Sequence, residues 1–89
     1  MHAAIVKVTI NDPDAAVQNL KNDIVPRVSQ APGFKAGYWY GDGQTEGRAT
    51  IIFESEENAQ GFVEMVRQQE GTGAATIDSV DTYPVVASA

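Results

Sequence analysis

Four segments of the chain combine β-branched or aromatic residues with the length of a strand. Residues 3–10, AAIVKVTI, predict the first strand. Residues 34–40, FKAGYWY, predict a second strand rich in aromatics, and residues 48–54, RATIIFE, predict a third. Residues 76–86 predict a fourth strand, and Pro84 favours a position for it at the edge of a sheet or in a bulge.

Two further segments carry apolar residues at spacings of three and four, which is the pattern of one helix face. The first face comprises Val17, Leu20, Ile24 and Val28, and the second comprises Ala59, Phe62, Val63 and Val66. Asp12 and Ser55 are suited to cap the two helices, and Pro13 suits a first helical position. Because Pro26 lies inside the first pattern, we expect a kink or a break at Val25.

The order of these elements is β-α-β-β-α-β, which is that of the ferredoxin-like arrangement. It predicts an α+β fold in which a four-stranded antiparallel sheet has both helices on one face. The chain has 89 residues, enough for a single domain spanning residues 1–89 and too few for a second. Glycine-rich stretches at 41–47 and 70–73 are predicted loops.

The open face, meaning the sheet face away from the helices, is predicted to be only partly polar. Strand alternation directs one apolar set toward the helices: Ala4, Val6, Val8, Ile10, Ala49, Ile51 and Phe53. The open face then carries Ile5, Ile52, Lys7, Thr50 and either Trp39 or the pair Tyr38 and Tyr40. A surface that combines large apolar groups with a few polar ones favours association with another surface. We therefore expect a homodimer formed through the open face. Lys7 is then expected to pair across that interface with Glu54 or Asp81, or to extend into solvent.

Composition excludes several classes of function. The net charge is −6 and the few Lys and Arg residues form no cluster, so neither nucleic acid nor an anionic membrane is an expected partner. The chain has no cysteine and one histidine, so neither a disulfide framework nor a metal site is expected. The apolar runs are too short to span a membrane, and Met1–Ile5 does not resemble a signal peptide. We therefore expect a cytoplasmic protein.

The candidate chemical groups are few. Tyr38, Trp39 and Tyr40 form the most conspicuous cluster; tyrosine hydroxyls suit the wall of an apolar pocket, and packing alone is the competing interpretation. Arg48 begins the third strand, where it is either exposed or binds a carboxylate or phenolate. His2 is expected to be frayed and solvated, or alternatively to start the first strand at a pocket rim.

The acidic residues suggest structure more than catalysis. Glu56 and Glu57 suit the first turn of the second helix, where carboxylates are favoured by the helix dipole. Asp78 and Asp81 are expected on opposite faces of the last strand and so do not form a pair. The loop glycines are followed by no phosphate-binding lysine, and no Ser-His-Asp arrangement is present. The catalytic residues therefore stay unassigned.

Residues 31–39, APGFKAGYW, followed by residues 53–59, FESEENA, resemble the dimeric α+β barrel superfamily, which includes the antibiotic-biosynthesis monooxygenase-like family. In those proteins a PGF turn opens the second strand, and the third strand leads into a helix with a similar acidic cap. The resemblance implies a homodimer with a pocket between helices and sheet. It also implies, in some members, oxidation of aromatic substrates by molecular oxygen without a cofactor, and in others haem binding. The haem-degrading branch uses an Asn, a Trp and a His ligand, whereas His2 is the only histidine here, so no cofactor is expected.

Two hypotheses follow from these patterns. In the first, a small apolar or aromatic molecule binds between helices and sheet and undergoes cofactor-independent, monooxygenase-like chemistry. Its predicted contacts are Tyr38, Tyr40, Arg48, Phe53 and Phe62. In the second, the protein is a non-catalytic dimeric module whose interior is filled by its own side chains. A cavity lined by Tyr38, Tyr40 or Phe53 favours the first hypothesis, and a solid interior favours the second.

Overall fold

The strands and helices follow the predicted order along the chain. The computed structural model describes residues 1–42, 44–68 and 75–87, so the predicted loop at 70–73 and Gly43 lie outside the described residues. The strands are β1 (His2–Ile10), β2 (Phe34–Gly41), β3 (Glu46–Phe53) and β4 (Ala75–Pro84). The helical elements are α1 (Pro13–Asn19), a π turn (Leu20–Ile24), α2 (Val25–Ser29) and α3 (Glu56–Gln68). Because α1, the π turn and α2 follow one another without a break, we call them together the first helix.

The sheet has the strand order β2-β3-β1-β4, and every neighbouring pair is antiparallel. α3 packs against β1, β3 and β4, and α2 packs against β2, so both helices cover the same face. The predicted ferredoxin-like α+β fold is therefore confirmed. β4 is an edge strand, as predicted, and a proline there removes no hydrogen bond from the middle of the sheet. The strand ends at Pro84, two residues before the predicted end.

The core lies between the sheet and the helices, on the face that strand alternation predicts. Its buried members are Ala4, Val6, Ala49, Ile51, Phe53 and Val80 from the sheet, with Val28, Ala59, Phe62 and Val63 from the helices. Three aromatic rings stack through its centre: the Phe53 ring lies 5.3 Å from Phe62 and 6.5 Å from Phe34, centroid to centroid. The second helix therefore contacts the end of the third strand through the Phe62 and Phe53 rings.

The first helix begins as expected and then departs from the prediction. Asp12 accepts a hydrogen bond from the Ala15 N–H at 3.2 Å, and Pro13 follows as the first helical residue. Of the kink or break expected at Val25, the break does not occur, because Val25 is helical (φ −60°, ψ −49°) and its N–H donates to Leu20 O; the irregularity there is a π turn. Pro26 has no backbone N–H to donate within the helix. The π turn accommodates it, because the hydrogen bonding changes to i→i+5 at Val25, one residue before the proline.

The π turn also rotates the apolar face of the first helix. A turn that contains one additional residue advances the side chains that follow it around the helix axis. Val25 is accordingly half-buried and Val28 is buried, whereas Ile24 is 36% exposed. The predicted apolar face with Ile24 in its centre is therefore wrong at that position, since the inserted residue brings Val25 inward instead.

The second helix, α3, has the predicted cap. Ser55 Oγ accepts a hydrogen bond from the Asn58 N–H at 3.2 Å, and Glu56 and Glu57 occupy the first turn. Gly61 faces solvent, and a Cβ placed there would meet no atom within 4 Å, so this glycine does not serve close packing. Within the described part of the chain, no helix has the length and apolar character needed to cross a membrane.

An irregularity in β4 changes the direction of its acidic side chains. The pairing of β4 with β1 shifts by one residue between Lys7 and Val8, which leaves Asp78 as the extra residue of a β-bulge. Thr9 Oγ1 donates to Asp78 Oδ2 at 2.6 Å, and Asp81 pairs with Ile5 of the open face. The two aspartates therefore share the open face, and the expectation of opposite faces is wrong because a bulge breaks strict alternation.

Candidate functional site

The five predicted ligand contacts are divided between the two faces of the sheet. Tyr38 pairs with Thr50 and Tyr40 pairs with Arg48, so these side chains belong to the open face. Phe53 and Phe62 are buried on the other face, within the aromatic stack of the core. The structure thus brings together Tyr38, Tyr40 and Arg48 as one group and the two phenylalanines as another, and no single pocket is lined by all five. Their role as ligand contacts stays a prediction.

The tyrosines of β2 are largely exposed. Tyr38 is 64% exposed and Tyr40 is 52% exposed, and the Tyr40 hydroxyl lies 3.0 Å from Thr50 Oγ1. Trp39 points the other way, because it pairs with Ala49 and packs against the core. Of the two alternatives left open by the sequence, the pair Tyr38 and Tyr40 therefore lies on the open face, and Trp39 faces the helices.

His2 is ordered within the sheet rather than frayed. It pairs with Phe53 on one side and with Pro84 on the other, because β1 is a central strand along its whole length. Its side chain is half-buried, and its Nε2 lies 4.0 Å from Glu56 Oε2 at the start of α3. The expectation of a solvated terminus is wrong, and the alternative position at the start of β1 on the Ala4 face is the one observed.

Lys7 is exposed, in agreement with the alternative that it extends into solvent, and its pairing across an interface stays a prediction. Glu54 forms an ion pair with Lys35, Nζ to Oε1 at 3.1 Å, and not with Lys7. Lys7 instead lies directly opposite Arg48 in the pairing of β1 with β3, and both are exposed. In the residues that the structure describes, neither cation forms an ion pair. The sheet therefore presents two facing positive charges to the outside.

The turn between β2 and β3 is held by one carboxylate. Asp42 Oδ1 accepts hydrogen bonds from the backbone N–H groups of Gln44, Thr45 and Glu46 at 2.8, 2.9 and 3.0 Å. These donors, chiefly that of Gln44, lower the pKa of Asp42 from 3.8 to about 2 because they stabilise its charged form. Asp42 thus stabilises the hairpin and is a structural group.

The two helices cover the sheet unequally. α3 buries Ala59, Phe62 and Val63, whereas the first helix buries only Val28, near its end. The backbone of α2 lies close to that of β2, whereas the backbone of residues 13–24 comes close to a strand at few points. Of the apolar residues in this part of the helix, Val17 is 49% exposed and Leu20 is half-buried, so they are incompletely covered.

We use the name helix–sheet groove for the incompletely covered apolar positions at the start of the first helix and on the sheet face beneath the helices. On the helix these are Val17, which is 49% exposed, and the half-buried Leu20. On the sheet they are the half-buried Val8, Ile10 and Trp39. All these side chains are apolar except for the indole N–H of Trp39, so the groove suits a flat, largely apolar molecule.

Small residues keep the floor of the groove low. A Cβ on Gly37 would lie 2.8 Å from Trp39 Cη2, so the indole ring rests on this glycine. A Cβ on Gly47 would lie 2.8 Å from Val8 Cγ2 and 3.2 Å from Ile10 Cδ1. Gly37 lies on a predicted strand, where a glycine often marks a close approach. Gly47 was predicted in the loop 41–47 and lies instead on β3.

A second depression lies at the sheet edge between α3 and β4. It has a volume of about 340 Å³ and is lined by Gln60, Val63, Glu64, Arg67, Val80, Asp81 and Thr82. Most of its lining is polar and it opens to solvent, and it contains none of the predicted ligand contacts. Within the described ranges no group of three or more His, Asp or Glu residues is placed to hold a metal ion.

Comparison with known proteins identifies the architecture. No family model and no curated protein matches the chain. Among solved structures, a variant of MhuD with two manganese protoporphyrin IX molecules bound per active site is similar over 100% of this chain and 98% of its own, with 15% identity and a TM-score of 0.70. The chain has the ferredoxin-like fold of this structure.

Two other solved structures agree with that assignment. A monooxygenase from the gene ActVA-Orf6 of Streptomyces coelicolor, in complex with nanaomycin D, is similar over 99% of this chain and 89% of its own, with 14% identity and a TM-score of 0.61. The heme-degrader MhuD from Mycobacterium tuberculosis, with two hemes bound in its active site, is similar over 97% and 98%, with 19% identity and a TM-score of 0.56. At such identities the likeness establishes the fold.

Haem iron does not fit the residues of the helix–sheet groove. Haem proteins hold the iron through side chains such as His, Cys, Met or Tyr, and the groove residues Val8, Ile10, Val17, Leu20 and Trp39 include none of these. His2 lies at the other end of β1, beside the start of α3. A ligand in the groove would therefore be held by apolar contact and not through a metal.

Proposed function

We propose that this protein is a homodimer that binds a planar, largely apolar molecule in the helix–sheet groove and oxidises it with molecular oxygen without a cofactor. The observation that carries the proposal is the unequal cover of the sheet. The first helix leaves Val17 exposed and Leu20 half-buried above a floor that contains Trp39, whereas α3 closes the other half. An apolar cleft beside an aromatic wall is the usual form of a small-molecule site.

The neighbouring structures support the shape of the ligand. The solved relatives with this fold carry flat, conjugated molecules, namely porphyrins in the MhuD structures and nanaomycin D in the Streptomyces monooxygenase. A flat ring system gains most from a groove with two apolar walls, because both of its faces leave water. A metal-free aromatic substrate fits the apolar lining better than haem does.

The dimer is supported by the open face. Tyr38, Tyr40 and Tyr83 are all more than half exposed there, and Ile5 and Ile52 lie between them. Tyrosine-rich apolar surfaces of this kind are typical of interfaces and uncommon on monomers. Tyr38, Tyr40 and Arg48 would then contribute to the interface, and they would contact a ligand only if it reached the open face.

Trp39 fluorescence tests ligand binding directly, because it is the sole tryptophan of the chain. A planar naphthohydroquinone should quench it, and Val17→Asp should weaken binding about tenfold or more by placing a charge at the groove. Val86→Asp is the matched control, since Val86 is exposed outside the groove. Equal quenching curves for the two variants, or no quenching in the parent protein, would contradict the groove as the site.

Oxygen uptake tests the reaction. With a metal chelator present, the parent protein should consume oxygen when supplied with a panel of naphthohydroquinones, and Val17→Asp should reduce the rate as it reduces binding. Binding without uptake above the buffer rate would leave a binding protein in place of an oxygenase.

A non-catalytic module is the second candidate, and one observation favours it. The interior beneath α3 is filled by the rings of Phe34, Phe53 and Phe62, with Phe53 fully buried. Proteins whose interior is filled in this way need no ligand for stability. Failure of every planar ligand to quench Trp39, together with a stable dimer, would support this candidate.

A further inference from the structure

The side chains of the open face form rows across the four strands. The central row is Tyr38, Thr50, Ile5 and Asp81, in the strand order β2-β3-β1-β4. Toward the β2–β3 turn lies a cationic row of Tyr40, Arg48, Lys7 and Ser79. On the other side lies an apolar row of Ala36, Ile52, Ala3 and Tyr83. Charge and apolar surface are thus separated along the strand direction.

Three charges of this face lack a counter-charge. Lys7 and Arg48 are directly opposite each other, and like charges in facing positions destabilise a sheet. Asp81 is exposed at the edge strand, and in the part of the chain described here none of the three forms an ion pair. Glu54 is occupied by Lys35. A surface that brings a carboxylate to the two cations would remove this repulsion.

The geometry points to a second copy of this chain as that surface. In a two-fold interface, residue i of one copy meets residue j of the other, and j meets i. Sheets that pack face to face either align or cross at nearly a right angle. In a crossed pair the two-fold axis lies in the interface plane and runs diagonally to the strands. The strands of one copy then run perpendicular to the strands of the other.

Only one diagonal pairs the charges. Strands lie about 4.8 Å apart and neighbouring rows about 6.8 Å apart. Consider a two-fold axis through the centre of the sheet that runs from the Ala36 corner to the Ser79 corner. In projection onto the plane of the sheet, Lys7 and Arg48 then each lie within about 3 Å of the partner's Asp81. The same axis lays Tyr38 on the partner's Ile52 and the partner's Ala3, and Tyr40 on the partner's Tyr83. Every large group of the open face then meets a complementary one.

The other arrangements oppose the charge pattern. An axis parallel to the strands places Lys7 over Arg48 of the partner subunit. A two-fold axis in the interface plane and perpendicular to the strands buries Lys7 and Arg48 against the apolar row of the other copy. The second diagonal buries Asp81 against Ile52 of the partner subunit, which is costly for an unpaired carboxylate. Charge therefore selects a single crossed arrangement among the symmetric ones.

We propose that two copies pack open face to open face with crossed sheets, and that Lys7 and Arg48 of each copy bind the partner's Asp81. This inference rests on the proposed homodimer and adds the residues that define its register. Each interface then contains two such clusters, related by the two-fold axis. Complementary charge of this kind selects the correct arrangement as well as stabilising it.

A charge exchange tests the pairing by sedimentation velocity at micromolar concentration. The parent protein should sediment as a dimer of about 19 kDa, twice the 9.5 kDa chain. Asp81→Lys, and the double variant Lys7→Glu/Arg48→Glu, should each weaken the dimer about a hundredfold or more. An equimolar mixture of the two should form a heterodimer within about tenfold of the parent affinity, because each restores the charges that the other lacks.

Asp78→Lys is the matched control. This variant makes the same change of charge as Asp81→Lys, on the same face of the same strand. In the proposed arrangement, however, Asp78 lies beyond the edge of the partner sheet. Its dimer affinity should stay within about threefold of the parent value. Circular dichroism of each variant verifies folding, and the heterodimer provides a positive signal that an unfolded chain does not give.

The outcomes separate this pairing from the dimer itself. A parent protein that sediments as a monomer overturns both. A parent dimer that Asp81→Lys does not weaken, or a mixture that forms no heterodimer, overturns the pairing and leaves the homodimer standing. Weakening by Asp78→Lys equal to that by Asp81→Lys also overturns it, since it would reflect net charge alone.

Discussion

Phe62→Ala is the sharpest test of the core. Phe62 is 6% exposed, and its ring lies 5.3 Å from that of Phe53, so truncation removes both buried area and an aromatic contact. Such truncations cost about 3–5 kcal/mol, including the cavity left behind. An 89-residue domain has about 4–13 kcal/mol of total stability at about 0.05–0.15 kcal/mol per residue. We therefore expect a loss of about 4 kcal/mol, which removes much or all of the margin.

Urea unfolding followed by circular dichroism measures this loss. With a denaturant slope of about 1–2 kcal/mol/M, the midpoint should fall by about 2–4 M. The protein concentration must be the same in each experiment, because association stabilises the folded state by mass action.

Two controls define the scale of the Phe62 experiment. Phe62→Leu, which retains most of the apolar volume, should cost about 1–2 kcal/mol. Val17→Ala, at a largely exposed site on the first helix, should change stability by less than about 0.5 kcal/mol. A loss below about 1 kcal/mol for Phe62→Ala would show that the aromatic stack does not hold α3 on the sheet.

Two further predictions concern local structure. Gly61→Ala should raise the free energy of unfolding by about 0.5–1 kcal/mol, because the site is helical, exposed and free of neighbours; an unchanged urea midpoint would contradict this. The pKa of Asp42 is lowered to about 2 from 3.8, so its carboxylate stabilises the hairpin fully above about pH 4 and loses this effect as the pH falls toward 2. The protection of the hairpin amides, measured as exchange relative to the intrinsic rate at each pH, should fall over that interval, and Asp42→Ala should abolish this change in protection; the same loss of protection in that variant would exclude Asp42 as its cause.

Local patterns were sufficient to predict the elements and their order. The caps at Asp12 and Ser55 depend on hydrogen bonds that span three residues, so the sequence contains all that they require. Apolar periodicity likewise predicts which face of β1, β3 and α3 is buried, because a strand or a helix repeats its own geometry. Pro84 belongs to the same class, since a proline indicates an edge strand without reference to its neighbours.

The candidate site was harder to predict. Where both faces of a strand carry aromatic residues, the alternation of side chains does not indicate which face is buried. In β2, either Trp39 or its two tyrosine neighbours could face the helices, and the pairing of Trp39 with Ala49 decided the question. The helix–sheet groove depends on how the first helix packs on the sheet, where its closest backbone approach is that of α2 to β2. Neither property is contained in the residues of a single segment.

The sequence by itself determined the fold class, the helix caps and most of the core, because these depend on interactions within one element. Only the tertiary structure decided which strand neighbours meet. The bulge at Asp78 turned two aspartates to the same face, and the π turn before Pro26 exchanged Ile24 for Val25 in the helix interior. His2 became ordered because β1 pairs on both sides. In the sheet, pairing between distant segments overrode the local expectation, since a shift of a single residue reverses the direction of a side chain. In the first helix, one i→i+5 turn had the same effect on the apolar face.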